Sequence, residues 1–223
     1  MSAINPSSSS PSSSSSPISS SSGSSSASTS ASDFSFTVDG FLFKKGSAII
    51  PDTRSQDQLR NKGYGDVEGS NYVLRPYEVL HLIHSKRMKL YRDKDSEKEA
   101  LDFNSVLRLA LKHDKEILTK FLIYRDLRTR GYVAKEGFGF GADFRVYERG
   151  MFEKKVAKYV VFGINEGTNT RVSNFSKTVS DIRIMGKEAI VAVVERRGEV
   201  IYYKLDKFKF TENKNHKFSS MGQ

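Results

Sequence analysis

No cysteine occurs anywhere in the 223 residues, so disulfides and thiolate metal sites are excluded. That absence is compatible with an intracellular, reducing compartment, and a cytoplasmic location is the expectation. No apolar run approaches the roughly 20 residues needed to cross a bilayer, so a soluble chain with no membrane partner is expected. Residues 1–32 hold no charged side chain and almost nothing apolar. They are mostly serine and cannot bury enough surface to offset the entropy of ordering, which predicts a disordered tail. The basic start and apolar core of a signal peptide are missing as well.

What is present is positive charge. The formal net charge is +10, and since the serine segment is neutral, all of it belongs to the rest of the chain. Such an excess favours an anionic partner, nucleic acid being the commonest. A basic surface that serves only solubility is the alternative that charge leaves open. About 190 residues remain beyond the tail, enough for two small domains or one large one.

Residues 33–50 alternate apolar and polar around Asp39-Gly40, which predicts a hairpin turning at that pair. Pro51 to Gly69 is polar and reads as turns. A helix is expected from Pro76, with Val79, Leu80, Ile83 and Met88 as its apolar stripe. His81 and His84 lie one turn apart on it, but no third metal ligand is evident. A single long helix is predicted from Asn104 to Arg130, closed by Gly131. Beyond it come short runs rich in valine, isoleucine and aromatics: "YVAKEG", "ADFRVYE", "AKYVVFGI", "EAIVAVVER" and "EVIYYKLDKF". They predict a mixed sheet made mainly of local hairpins, with a tight turn at Arg197-Gly198 and a short helix around 176–187. The fold class is therefore mixed α/β (α+β).

The stretch "GFGFG" at 137–141 has alternate glycines but no following lysine and hydroxyl residue, and it leads into a strand. That context disfavours a phosphate loop and favours a strand-to-strand turn. In the next strand, alternation puts Phe144, Val146 and Glu148 on one face and Asp143, Arg145 and Tyr147 on the other. Metal-free RNA cleavage needs three groups: a base for the 2′-hydroxyl, a cation for the developing phosphorane, and an acid for the leaving 5′-oxygen. A tyrosine can be the base if cations lower its pKa, and a lysine can be the cation.

The stretch "YRDLRTRGYVAKEGFGFGADFRVYERG" (124–150) resembles the hallmark of archaeal tRNA-splicing endonucleases, close to Y-x-D-L-R-x-x-G-Y-x-x-K-x-G-x-x-F-G-x-D-F-x-x-Y. Weaker similarity runs back through "NKGYGDVEGSNYVLRPYEVLHLI" and forward through "KEAIVAVVERRGEVIYYKL". The resemblance implies an N-terminal α/β domain over 33–115, an endonuclease-like domain over 116–213 and a flexible tail over 214–223. It implies cleavage of precursor tRNA at a bulge–helix–bulge, leaving a 2′,3′-cyclic phosphate and a 5′-hydroxyl without metal or other cofactor. It places the base at Tyr147 and the cation at Lys187. Arg145, Arg149 and Arg183 are the candidate RNA contacts.

The family's histidine, from a segment of the form H-x-x-Y-x-V, is missing. "VAKYVV" puts Val156 there, and no histidine occurs between Tyr147 and Lys187. His81, His84, His113 and His216 lie elsewhere. Before Lys187 the family's R-V-x-H-S-x-R-K becomes "DIRIMGK", without the arginine beside the lysine. A chain with this scaffold and no acid resembles the structural subunit of a heterotetramer, two copies beside two of a catalytic paralogue. In that family the closing strand, here "GEVIYYKLDKFKF", joins subunits, and the loop 163–176 docks on the opposite dimer. That loop carries Glu166 as its only acid, beside Arg171 and Lys177, which puts its charge in reverse. An active homo-oligomer with an altered acid (Lys154, Lys155 or Lys158) remains open, as does a basic nucleic-acid-binding protein reusing the fold. Tyr147 as a packed strand residue and Lys187 as a surface lysine are the corresponding structural alternatives.

Overall fold

The computed structural model describes residues 37–93, 99–137, 139, 141–167 and 175–206, with the side chains of 175–177 excepted. The expected serine tail and C-terminal tail, His216 and residues 168–174 of the loop 163–176, Arg171 included, lie outside the described residues. So does the side chain of Lys177.

Two five-stranded sheets are present among the described residues. The first is built from β1 (Val38–Leu42), β2 (Ala48–Ile49), β3 (Asp66–Glu68), β4 (Asn71–Leu74) and β5 (Met88–Tyr91), in the order β3-β4-β2-β1-β5. Its pairs are antiparallel except β1 with β5, which run parallel, Val38 opposite Met88. Asp39 and Gly40 are not a turn. They sit inside β1, opposite Lys89 and Leu90, and the glycine makes room there, since a Cβ at Gly40 would stand 2.5 Å from Met88 Cε and 2.9 Å from Ile50 Cδ1. The hairpin turns at Phe43–Ser47 instead, where Phe43 N donates to Ser47 O at 2.8 Å and Lys45 and Gly46 take positive φ.

Helix α1 (Thr53–Asn61) occupies a stretch that reads as turns. Only Leu59 of its residues is buried, so the apolar pattern carries almost no helical signal. The start is set by Asp52, whose carboxylate accepts from Ser55 N at 2.8 Å. Helix α2 (Pro76–His84) begins at the proline as expected, with Val79, Leu80 and Leu82 buried. Met88 belongs to β5 rather than to the helix.

The predicted long helix is two, α3 (Phe103–Leu111) and α4 (Ile117–Thr129). Asp114 makes the break, its carboxylate accepting from Glu116 N at 2.9 Å and from Lys120 Nζ at 2.7 Å. An aspartate that bonds the following backbone competes with helix continuation, although the apolar spacing runs through it. Gly131 closes α4 at φ +84°.

The second sheet follows: β6 (Val133–Glu136), β7 (Phe144–Tyr147), β8 (Tyr159–Asn165), β9 (Glu188–Val194) and β10 (Val200–Lys204), in the order β10-β9-β8-β7-β6. Neighbours are antiparallel, as local hairpins require, except β8 and β9. These two run parallel through the crossover helix α5 (Phe175–Ile184). The glycine stretch turns β6 into β7, and a Cβ at Gly137 would lie 2.2 Å from the Ala142 carbonyl oxygen. No helix among the described residues is long and apolar enough to cross a membrane.

The larger core joins both sheets through α2 and α4. A polar link runs beside it. Glu78, 1% exposed, accepts from Gly65 N at 3.0 Å and from Arg75 N at 2.8 Å. Lys135 of β6, 4% exposed, donates to the carbonyl of the same glycine and pairs with Asp66 at 3.1 Å. Burial pushes the Glu78 carboxyl above its ordinary value, and Lys135 opposes that shift.

Lys135→Met should therefore cost about 1–3 kcal/mol, since it leaves the buried Gly65 carbonyl without its donor. Without the ammonium, the Glu78 carboxyl rises further. A carboxyl raised in the folded state weakens the fold as pH climbs through its folded value and spares it below. The deficit should thus grow as pH rises and shrink towards acid, as urea unfolding at a series of pH values would measure.

Candidate RNA-cleavage site

The register of the second sheet decides what meets at its edge. β7 runs antiparallel to β8, with Val146 opposite Tyr159, so the end of β7 lies beside the start of β8. β8 runs parallel to β9, with Tyr159 opposite Glu188, so both begin at that same edge. Backbone bonds from Lys158 N to Val146 O (3.0 Å) and from Glu188 N to Lys158 O (2.9 Å) close the seam. Tyr147 ends β7, Val156 lies just before β8, and Lys187 lies just before β9. The two family-matching positions, Tyr147 and Lys187, and Val156 at the histidine's position therefore line one edge.

Each is held by local structure. Tyr147 is half-buried, its ring edge-on to Phe152 with centroids 5.1 Å apart. A compact turn brings Phe152 there, with Met151 N donating to Glu148 O at 3.0 Å and Lys155 N to Met151 O at 2.9 Å. Val156 follows that turn and is 81% exposed. Lys187 Nζ donates to the Ala157 carbonyl at 2.7 Å, which ties its amine to the residue next to Val156. The α5–β9 turn needs Gly186 at φ +67°, with Lys187 N donating to Ile182 O at 3.1 Å. Glycine is favoured at that φ.

The three candidate arginines separate. Arg145 lies on β7 beside Tyr147 and lines a cleft of about 290 Å³ with Arg60, Lys135 and Phe152. Arg60 comes from α1, so the missed helix hid its contribution; nothing local in the sequence marks it. Arg183 sits with Lys187 in a cleft of about 230 Å³ and pairs with Asp206. Arg149 instead places its guanidinium 5.2 Å from the Tyr132 ring centroid.

Among the described residues the histidines are elsewhere. His81 is packed between Tyr64 and Tyr124, and burial, helped by Arg128, pushes its imidazole down to about 3. His84 packs against Phe103 and Phe121. Among the described residues no group of three or more potential ligands is placed to hold a metal ion. Of the lysines near Val156, Lys158 donates to Glu148 at 2.6 Å, and that bond holds its ammonium above the ordinary lysine range.

Comparison with known proteins identifies both parts of the chain. The model of the tRNA intron endonuclease N-terminal domain matches residues 40–103, and that of the catalytic C-terminal domain matches 117–202. The tRNA-splicing endonuclease of Methanococcus vannielii is 32% identical over 161 residues, covering 72% of this chain and 89% of that protein. That of Pyrococcus furiosus is 31% identical over 150 residues, covering 67% and 84%. That of Thermococcus kodakarensis is 31% identical over 160 residues, covering 71% and 92%. With both domain models matched in order and relatives aligned across most of its length, the chain belongs to the tRNA intron endonuclease family.

Proposed function

We propose that this chain is the structural, RNA-positioning subunit of a tRNA-splicing endonuclease that removes introns from precursor tRNA at bulge–helix–bulge sites. The enzyme would leave 2′,3′-cyclic phosphate and 5′-hydroxyl ends, with two copies of this chain beside two of a catalytic paralogue. What carries the reading is Val156, exposed at the edge where Tyr147 and Lys187 also lie.

In the cleavage step the 2′-oxygen attacks phosphorus as its proton leaves, and the 5′-oxygen departs as it gains one. Tyr147 stands where the first proton would be taken, and Lys187 where charge on the phosphorane would be met. The departing 5′-oxygen has no donor in a valine. Lys158 is a poor substitute, because the Glu148 bond stabilises its charged form and makes its proton harder to give up. Arg145 beside Tyr147 and Arg183 beside Lys187 supply positive charge at both ends of that edge. They fit contacts to phosphate that position RNA without cutting it.

The purified chain should cleave a bulge–helix–bulge RNA poorly, and a catalytic paralogue carrying the histidine should co-purify with it in a complex that cleaves well. Robust cleavage by the single chain would sink the structural-subunit reading in favour of an active homo-oligomer. Binding without any association with such a paralogue would favour a nucleic-acid-binding protein that reuses the fold.

Val156→His should raise the single chain's cleavage rate by about 10²–10⁴, the usual contribution of a general acid. The gain should fade as pH rises past about 6.5 and the imidazolium loses its proton. Tyr147→Phe in the same background should remove it. Single-turnover rates across pH would check all three.

A further inference from the structure

One face of the β6–β7 pair looks onto the loop that follows α1. Val133 is opposite Tyr147 and Lys135 opposite Arg145, so these side chains share that face. Gly63 lies close against it, since a Cβ there would stand 2.4 Å from Val133 Cγ1 and 3.3 Å from Phe152 Cε1. The cleft of about 290 Å³ beside Tyr147 is therefore walled from both sheets, and Arg60, its side chain 47% exposed, is the cation that the N-terminal domain brings to it.

Three contacts fix where Arg60 stands relative to Arg145. Arg128 Nη2 donates to the Lys62 carbonyl at 2.9 Å, Tyr72 Oη donates to that of Tyr64, and Lys135 Nζ donates to that of Gly65. Together they pin the loop that closes α1, whose last turn carries Arg60. The guanidinium lies 5.3 Å from the centroid of the buried Tyr72 ring. Its ion pair with Asp57, at 2.9 Å, joins two exposed side chains of one helix, and such pairs are weak enough to exchange. The charge of the cleft is uneven. Arg60, Lys135 and Arg145 line it with Asp66 as the one carboxylate among the lining residues, and Asp66 is paired with Lys135 at 3.1 Å.

We propose that Arg60 is a phosphate contact of the bound RNA. With Arg145 it seats one backbone phosphate in this cleft, so the N-terminal domain carries part of the RNA-positioning surface. The proposal rests on the RNA-positioning reading above. A guanidinium presents paired donors that match phosphate oxygens and is less strongly hydrated than an ammonium. The volume lies below the range of pockets for drug-sized ligands and suits a small anionic group. Because the loop contacts hold Arg60 in place beforehand, less ordering is needed on binding. Phosphate contacts set register without reading sequence, which is what a positioning subunit requires. Tyr147 lines the same cleft, so a phosphate seated here would lie along the backbone from one presented at the sheet edge.

The test uses the full chain and two fluorescently labelled bulge–helix–bulge RNAs that differ only in bulge sequence, with affinity measured across salt concentration. Arg60→Gln should weaken both about tenfold, by the same factor, and lower the salt slope by about one contact. Arg54→Gln removes the same charge from the same helix at a residue that does not line the cleft, and should do neither. Arg60→Lys keeps the charge without the paired donors. It should hold the slope while losing part of the affinity, and it keeps the test decisive if the glutamine disturbs the fold. Equal losses from Arg60→Gln and Arg54→Gln would make Arg60 part of a diffuse field and overturn the contact. A slope that falls with Arg60→Lys as it does with Arg60→Gln also overturns it, as does a loss that depends on bulge sequence. Binding that ignores Arg60→Gln overturns it and leaves the RNA reading standing. No binding of either RNA by the unsubstituted chain overturns the contact and the RNA reading together.

Discussion

The grip on Gly65 is the contact on which the rest of the structure depends. Its N–H is taken by the buried Glu78 carboxylate and its carbonyl by the buried Lys135 ammonium. Gly65 itself is held at φ +64°, and a Cβ there would meet Tyr72 Cε1 at 2.7 Å. Charges this deep persist only when paired and hydrogen-bonded, so neither side chain can be lost quietly. Through Lys135, and through Arg75 bridging Glu68 and Glu136 at 2.7 and 2.8 Å, β6 is fastened to the first sheet. Val133 of β6 pairs with Tyr147. The placement of the site tyrosine therefore traces back to a glycine on the far side of that link.

Most of the motif that marks the family turns out to be frame. Tyr124 and Phe144 are core residues. Asp126 anchors Tyr202, and Arg128 donates to the Lys62 carbonyl with its guanidinium 4.0 Å from the Tyr64 ring centroid. Gly131 ends a helix at positive φ, and Asp143 accepts from Gly163 N at 2.7 Å. A long match in such residues speaks to the fold. The cleavage chemistry rests on far fewer positions, so a chain can keep the frame and lack a proton donor.

Elements whose cause is local were readable in advance. Proline opens α2, glycine closes α4, and runs of β-branched and aromatic residues became β6 to β10. The turn between β9 and β10 falls at Glu195–Glu199, with Gly198 at φ +79°. Elements whose cause is distant were not. Gly40 looks like a turn residue but is a strand residue that makes room for Met88 and Ile50. Helix α1 buries one side chain and so leaves no periodic trace. The break at Asp114 depends on side-chain bonds that apolar spacing ignores.

The residues that stand at the sheet edge, tyrosine, valine and lysine with no histidine between 147 and 187, are properties of the sequence alone. So are the strand alternation that separates Arg145 and Tyr147 from Phe144 and Val146, and the excess of positive charge. That the three positions lie at one end of the sheet is a property of the tertiary structure. It requires the parallel pairing of β8 with β9 across a helical crossover, a non-local register that no local pattern specifies. The cleft that Arg60 and Arg145 line has the same origin. One arginine comes from α1 and the other from β7, and only the packing of the loop after α1 against β6 brings them together.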